Sequence, residues 1–506
     1  MPFINHLLTE LNLLWQSISV SHRVLLYATW EIGSILFLLG QRRPPLATLS
    51  WILASLGLPV LSLGFYFVFG PRKLKRRNIR RELARHLAAH HGPRRHQQLP
   101  ETLASRHWLL AQARVATECG SASPRQVQGL EILIDGDAAY AAIETAMQQA
   151  VRQIHVEYYI FKPDEIGTRW RDLLTDKARA GVKVRILVDA VGSGRCHHDF
   201  WQPLRQAGGE VRVFNPPRLV PFRPSMVNFR THRKIVVIDA FYGFTGGINV
   251  DRIESASCTG VTAWRDTHLA LRGNAALDLQ RLFLEDWLYA GTRSGNLARL
   301  DKALTTPQDI QAWFPFHHEE AGDGLQPWVQ IIDSGPDRGE SAIYRFFFAA
   351  ISSARHRVWI TTPYFIPDEA IMTALTTAAV RGVDIRLLVP MESDQLLTGL
   401  AASTFVEEVL TRRVKVYAYV PRFIHAKTLV VDDELSAIGT ANMDNRSFRL
   451  NFEVMAAIYD KKTTSVMARQ FLKDLESATQ LHADFQPGSF SQRMVASLAR
   501  LAAPLL

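Results

Sequence analysis

Two short apolar runs organise this chain. Ile235-Val236-Val237-Ile238 and Thr428-Leu429-Val430-Val431 are aliphatic or β-branched throughout, with no polar alternation. Such runs predict central strands buried on both faces. Upstream of each, helical and strand patterns alternate, as where Trp170 to Ala180 leads into Val182 to Val188. That alternation predicts α/β units with parallel connections. The order of elements occurs twice: Ile154 to Glu165 answers Val358 to Glu369, and Gly181 to Val188 answers Gly382 to Val389. Repeats of this size are domains, not solenoid units. The first is placed at 125–324, linker included, and the second at 325–506.

The N-terminal pattern differs. Leu46 to Gly70 is twenty-five residues without a charge, longer than the ~20 needed to cross a bilayer. Val24 to Gly40 is shorter and carries Glu31. Together they predict a membrane helical hairpin within 1–71; a single span preceded by an interfacial helix is the alternative.

Charge sharpens this picture. Of the formal net charge of +10, residues 72–95 contribute +9, ten Lys/Arg (Arg81 and Arg85 among them) against Glu82 alone. Residues from 96 onward sum to zero, which argues against nucleic acid as a partner. The basic run is read as a juxtamembrane linker, 72–124, meeting anionic headgroups. Positive-inside bias places the body after it on the cytoplasmic side. Cys119, Cys196 and Cys258 are too scattered for a disulfide framework.

The candidate chemistry is also duplicated. His232 and Lys234 are followed by Asp239, and His425 and Lys427 by Asp432, at identical spacing. On a strand, each histidine and its lysine would point the same way. Asn249 and Asn442 each lie seventeen residues after their histidine, beyond a turn containing glycine. Asparagine amides can donate to phosphoryl oxygens. Building one polar set twice predicts a single site assembled from two halves, performing phosphoryl transfer through a histidine without a metal. A lone histidine at a strand end is usually structural; two with matched lysines, aspartates and asparagines are not. Cys196-His197-His198 and the group His86, His90 and His91 lack convincing metal-ligand spacing and are read as polar surface.

The paired motif His-x-Lys-x4-Asp resembles that of the phospholipase D superfamily. With Asn228 to Asp239, Trp264-Arg-Asp-Thr-His268, Thr361 to Glu369 and Gly439 to Phe448, the chain resembles membrane-anchored bacterial cardiolipin synthases. The resemblance implies two tandem phospholipase D-like α/β domains with sheets packed face to face, behind the membrane hairpin, at the bacterial inner membrane. It implies transfer of a phosphatidyl group between two phosphatidylglycerol molecules through a phosphatidyl-histidine, with no cofactor. Phosphatidylglycerol and anionic membrane lipids are the implied partners, and a homo-oligomer is compatible. By analogy His232 is the nucleophile and His425 the acid/base, an order the residues themselves leave open. The family pattern further implies a crossed arrangement, Glu453 orienting His232 and Asp266 orienting His425, with Asp239 and Asp432 mainly structural. Thr231, Ala240 and Arg413 depart from the family pattern without touching these groups. Hydrolysis or headgroup exchange remains open as the alternative reaction.

Overall fold

The computed structural model describes residues 19–41, 45–59, 61–62, 66, 81–82, 84–85, 107–216, 229–291, 313–314, 326–338, 341–482 and 489–504. Contacts divide the chain into one unit of Met1–Lys73 with Arg218–Met226 and another of Leu74–Pro217 with Val227–Leu506.

The first unit contains helices α1 (Val20–Leu39) and α2 (Pro45–Gly57). Ser55 donates to Glu31 at 2.8 Å, and the Tyr27 hydroxyl donates to the Leu56 carbonyl at 3.1 Å. The expected membrane hairpin is corrected here: among the described residues, no helix is long and apolar enough to cross a membrane. The thirteen residues of α2 span only about 20 Å at ~1.5 Å per residue, short of the ~30 Å hydrocarbon core. The longer α1 is interrupted by polar and charged side chains, including His22, Arg23 and Glu31. Residues 60, 63–65 and 67–70 of the uncharged run lie outside the described residues.

In the second unit, strands β1 (Arg125–Gln126), β2 (Gly129–Ile134), β3 (Gln153–Tyr158), β4 (Lys183–Asp189), β5 (Glu210–Phe214), β6 (Ile235–Ile238), β7 (Tyr242–Gly246) and β8 (Thr267–Arg272) come first. They are followed by β9 (Trp328–Ser334), β10 (Arg357–Thr361), β11 (Phe365–Ile366), β12 (Asp384–Pro390), β13 (Lys415–Tyr419), β14 (Thr428–Val431), β15 (Leu435–Gly439), β16 (Met443–Asp444), β17 (Glu453–Tyr459) and β18 (Ala478–Leu481). β11 and β16 form a two-stranded sheet; of the two large sheets, one runs β2-β8-β7-β6-β3-β4-β5 and the other β1-β9-β17-β15-β14-β10-β12-β13-β18. Both large sheets are mixed. Only β3-β4-β5 and β10-β12-β13 are parallel runs, while β6 and β14 are antiparallel to both neighbours. The expectation of parallel connections therefore holds for the βαβ portions alone, because β6–β7 and β14–β15 are joined by short hairpins.

The two apolar runs became β6 and β14, every residue buried. Their alternate side chains serve different cores. Val236 and Ile238 pack under the helices of the first half, Leu429 and Val431 under those of the second. Val237 and Val430 instead share one core with Leu269, Ile331, Ile438 and Val454, so the two sheets meet face to face. The recurring Pro-Asp-Glu is a helix start. Asp164 caps α5 (Glu165–Arg179) by accepting from Gly167 N at 3.0 Å, and Asp368 caps α8 (Glu369–Val380) by accepting from Ile371 N at 3.1 Å. The remaining long helices of this unit are α3 (His107–Glu118), α4 (Asp135–Gln149), α6 (Asn274–Gly291), α7 (Ala342–Ser353), α9 (Leu396–Leu410), α10 (Lys461–Leu475) and α11 (Phe490–Arg500).

The basic segment holds a second correction. Among its described residues, Arg81 is buried, ion-paired with Asp286 and with Asp337 at 3.1 Å, and stacked 4.1 Å over the Phe452 ring. Arg85 also pairs with Asp337. These two guanidinium groups serve the catalytic body rather than headgroups. The rest of 72–95 lies outside the described residues.

Candidate active site

Each histidine stands in the irregular segment leading into its central strand, not on the strand itself. The reason is where the backbone hydrogen bonds go. His232 N donates to Phe452 O at 2.9 Å and Phe452 N donates to Arg230 O at 2.9 Å; His425 N donates to Arg265 O at 2.7 Å and Arg265 N to Phe423 O at 2.9 Å. Each histidine segment is thus laced to the opposite half, beside the residue that begins or precedes a strand there.

That lacing delivers the carboxylates. His232 Nδ1 lies 3.0 Å from Glu453 Oε2, and His425 Nδ1 lies 2.7 Å from Asp266 Oδ2. Both pairs cross between the halves. Glu453 is held further by the Thr440 hydroxyl and by Asn451 Nδ2 at 3.1 Å. At the position matching Thr440 stands Gly247, where a Cβ would come within 2.1 Å of Asp266 Oδ1. Only a residue without a side chain leaves room for that carboxylate.

Lys234 and Lys427 are both buried, each ammonium donating to the carbonyl of its own histidine, at 3.1 Å for Lys234. Burial and then Lys427 push the Lys234 ammonium down to about 7; burial lowers Lys427 as well. Burial also lowers both imidazoles from their ordinary value, with the two lysines adding to it and Glu453 opposing it at His232. Tyr159 meets His232 edge to face at 5.1 Å, and Trp264 covers His425 at 4.9 Å between ring centroids.

The aspartates of the motif are not in this group. Asp239 and Asp432 lie at the far ends of β6 and β14, in the left-handed region with φ of 51° and 50°. Asp239 accepts from the backbone of Val151, Arg152 and Gln153 at 2.8–2.9 Å. Asp432 accepts from Arg355, His356 and Arg357 at 2.7–3.1 Å. They tie loops to the sheet. Asn249 and Asn442 are buried; Asn249 donates its backbone N to Glu254 at 3.1 Å, Asn442 its own to Ser447 Oγ at 3.1 Å.

Glu254 is the residue that sequence reasoning missed. It is fully buried with Oε1 at 3.9 Å from His425 Nδ1, and burial, then the Asp266 charge, raises its pKa well above the carboxylate range. Burial raises Asp266 as well. Glu254, Asp266 and His425 form the one group of metal-ligand geometry among the described residues. The buried Lys427 ammonium acts on both carboxylates, opposing a cation there. Glu254 has no counterpart in the second half, where Ser447 stands at the same distance from its asparagine.

The sequence model of the family described as cardiolipin synthase, PLD-like domain, matches residues 143–286 and 347–475, one stretch in each half. The chain belongs to this family. Cardiolipin synthase of Geobacillus thermodenitrificans (strain NG80-2) is 38% identical over 473 residues, covering 92% of this chain and 90% of that protein. Cardiolipin synthase 1 of Bacillus anthracis is 37% identical over 482 residues, covering 94% and 92%. The crystal structure of phosphatidylserine synthase from Haemophilus influenzae Rd KW20 superposes with a TM-score of 0.59 at 14% identity, over 78% of this chain and 100% of that one. At that identity the likeness is one of fold.

Proposed function

We propose that this enzyme is a cardiolipin synthase, joining two phosphatidylglycerol molecules into cardiolipin and releasing glycerol. The observation that carries the mechanism is the pair of histidine–carboxylate contacts crossing between halves, with two buried lysines whose charges act on both imidazoles. With Nδ1–H directed at Glu453, His232 presents the Nε2 lone pair to the phosphorus of the first lipid. The N–P bond forms as the P–O bond to glycerol breaks, and His425 gives its proton to the departing oxygen. Neutral His425 then takes the proton of the second lipid's glycerol hydroxyl. The oxygen attacks phosphorus, the N–P bond breaks, and His232 is restored. Lys234 and Lys427 offset charge on the non-bridging oxygens, and Asn249 and Asn442 add neutral donors. Burial first, and then the lysine charges, lower the imidazoles; a phosphodiester anion offsets the lysine part, so substrate binding favours protonation of His425. Asp266 and Glu453 orient the rings; Asp239 and Asp432 brace the strands.

The enzyme works at the bacterial inner membrane, its catalytic domains on the cytoplasmic side. A lipid substrate and the basic residues of 72–95 other than Arg81 and Arg85 support that placement, because the cytoplasmic leaflet carries the anionic headgroups they would meet. The test is purified protein with glycerol-labelled phosphatidylglycerol in liposomes and no added divalent metal. Cardiolipin and free glycerol are expected, and both His232→Ala and His425→Ala should abolish them. Phosphatidic acid as the main product would replace transfer with hydrolysis.

A further inference from the structure

Helix α11 is inverted for a surface helix. It opens on a capping box between Ser489 and Gln492 and packs Ala496 and Ala499 against α9, with Ala503 buried just beyond its end. A helix covering a soluble domain turns its polar side outward. Here the side opposite those alanines carries Phe490, Met494, Val495, Leu498 and Leu501, exposed by 72, 52, 51, 63 and 77%. At about 100° per residue these fall into one stripe, centred opposite the packed face. No element among the described residues covers it.

The flanking charge says what does. Residues 489–504 contain two arginines and no acid. Arg493 and Arg500 border the stripe on the same flank, and Arg500 is braced by Glu408 at 2.6 Å and by the Phe405 ring at 4.1 Å. A second copy of this helix offers no acid within 489–504 to meet Arg493. An anionic bilayer meets the apolar stripe with acyl chains and the guanidinium groups with headgroups. We infer that α11 is an in-plane docking helix that seats the catalytic unit on an anionic lipid surface.

The test uses the full chain with Cys119, Cys196 and Cys258 replaced by serine and Met494→Cys carrying an environment-sensitive fluorophore. On phosphatidylglycerol-containing vesicles the emission should shift to the blue and be quenched by nitroxides on lipid acyl chains. Neutral phosphatidylcholine vesicles should give much less of both. Adding Arg493→Gln should weaken the phosphatidylglycerol preference at this position several-fold. A probe that stays water-exposed while the protein is bound to phosphatidylglycerol vesicles overturns the inference. So does a blue shift that appears without lipid and grows with protein concentration, because the stripe is then covered by a second copy.

Discussion

Replacing Glu453 by glutamine changes one charge and almost no volume, at a residue whose surroundings define what the change does. Glu453 Oε2 faces His232 Nδ1 at 3.0 Å and also receives the Thr440 hydroxyl, while Oε1 receives Asn451 Nδ2 at 3.1 Å. All these partners can donate. A glutamine offers one carbonyl oxygen, so its amide N–H must face a group that formerly donated. If it faces His232, Nδ1 becomes the acceptor, the ring proton moves to Nε2, and the nucleophilic lone pair is lost. The corresponding carboxylate-to-amide change in a catalytic triad costs about 10⁴-fold in kcat through the same tautomer error. A loss of about 10³–10⁴-fold, or ~4–5.5 kcal/mol of barrier, is expected here. Single-turnover formation of the phosphohistidine, followed by acid-free quench and label retention, measures it. His232 and Thr440 also hold the Glu453 carboxyl below its ordinary value, against burial. That stability is present above the unfolded value and lost as pH falls through the folded one, so the variant should lose part of its acid destabilisation. A loss under tenfold, or one confined to KM, would refute the tautomer argument.

Other outcomes follow from the same geometry. Asp432→Ala removes an acceptor for three backbone N–H groups far from the histidines, so denaturant unfolding should show a loss of about 2–3 kcal/mol, with kcat per folded molecule little changed. Arg81→Ala leaves Asp286 and Asp337 short of a buried partner; a loss of about 3–5 kcal/mol, insensitive to salt, is expected in the same assay. Lys234, pushed down to about 7, should release its proton from the free enzyme as pH rises through that value, and KM for phosphatidylglycerol should climb. Its contribution to stability has the opposite sense: the unfolded chain holds this proton up to ~10.4, so stability from this residue rises with pH between the two values. Glu254, raised well above its ordinary value, favours folding in its protonated form and disfavours it once pH exceeds the unfolded carboxylate value. Glu254→Gln should therefore gain stability over the parent as pH is raised from 5 to 9, measured by unfolding at both.

What the sequence made legible is what occurs twice. The apolar runs that became β6 and β14 and the histidine–lysine spacing each had a copy to be read against. Glu254 was invisible for the same reason: a serine stands at its matching position, and nothing local marks a lone glutamate as buried. Arg81 was misread because charge counting sees a basic run but not a partner such as Asp337, 256 residues away. The N-terminal pattern misled because absence of charge was taken for continuity of helix, whereas α2 ends at Gly57 and α1 carries Arg23 and Glu31. His232 lies off the strand because its backbone N–H crosses to Phe452, a tertiary choice that period-2 alternation cannot express.

The mismatches between the halves bear on which histidine does what. A nucleophile needs one tautomer throughout, and a carboxylate that stays ionised and fully engaged provides it. Glu453 fits that description: its pKa is lowered despite burial, and it accepts from Thr440 and Asn451 as well as facing His232. An acid that becomes a base must change protonation twice per turnover, which is easier beside groups that can share a proton. Asp266 and Glu254 are both raised, are buried together, and lie at 2.7 and 3.9 Å from His425 Nδ1. The substitutions that break the repeat, Thr440 against Gly247 and Ser447 against Glu254, therefore favour His232 as nucleophile and His425 as acid/base. Two identical copies of one frame would leave the choice of nucleophile to the bound substrate; the residues that differ between the copies would make that choice beforehand.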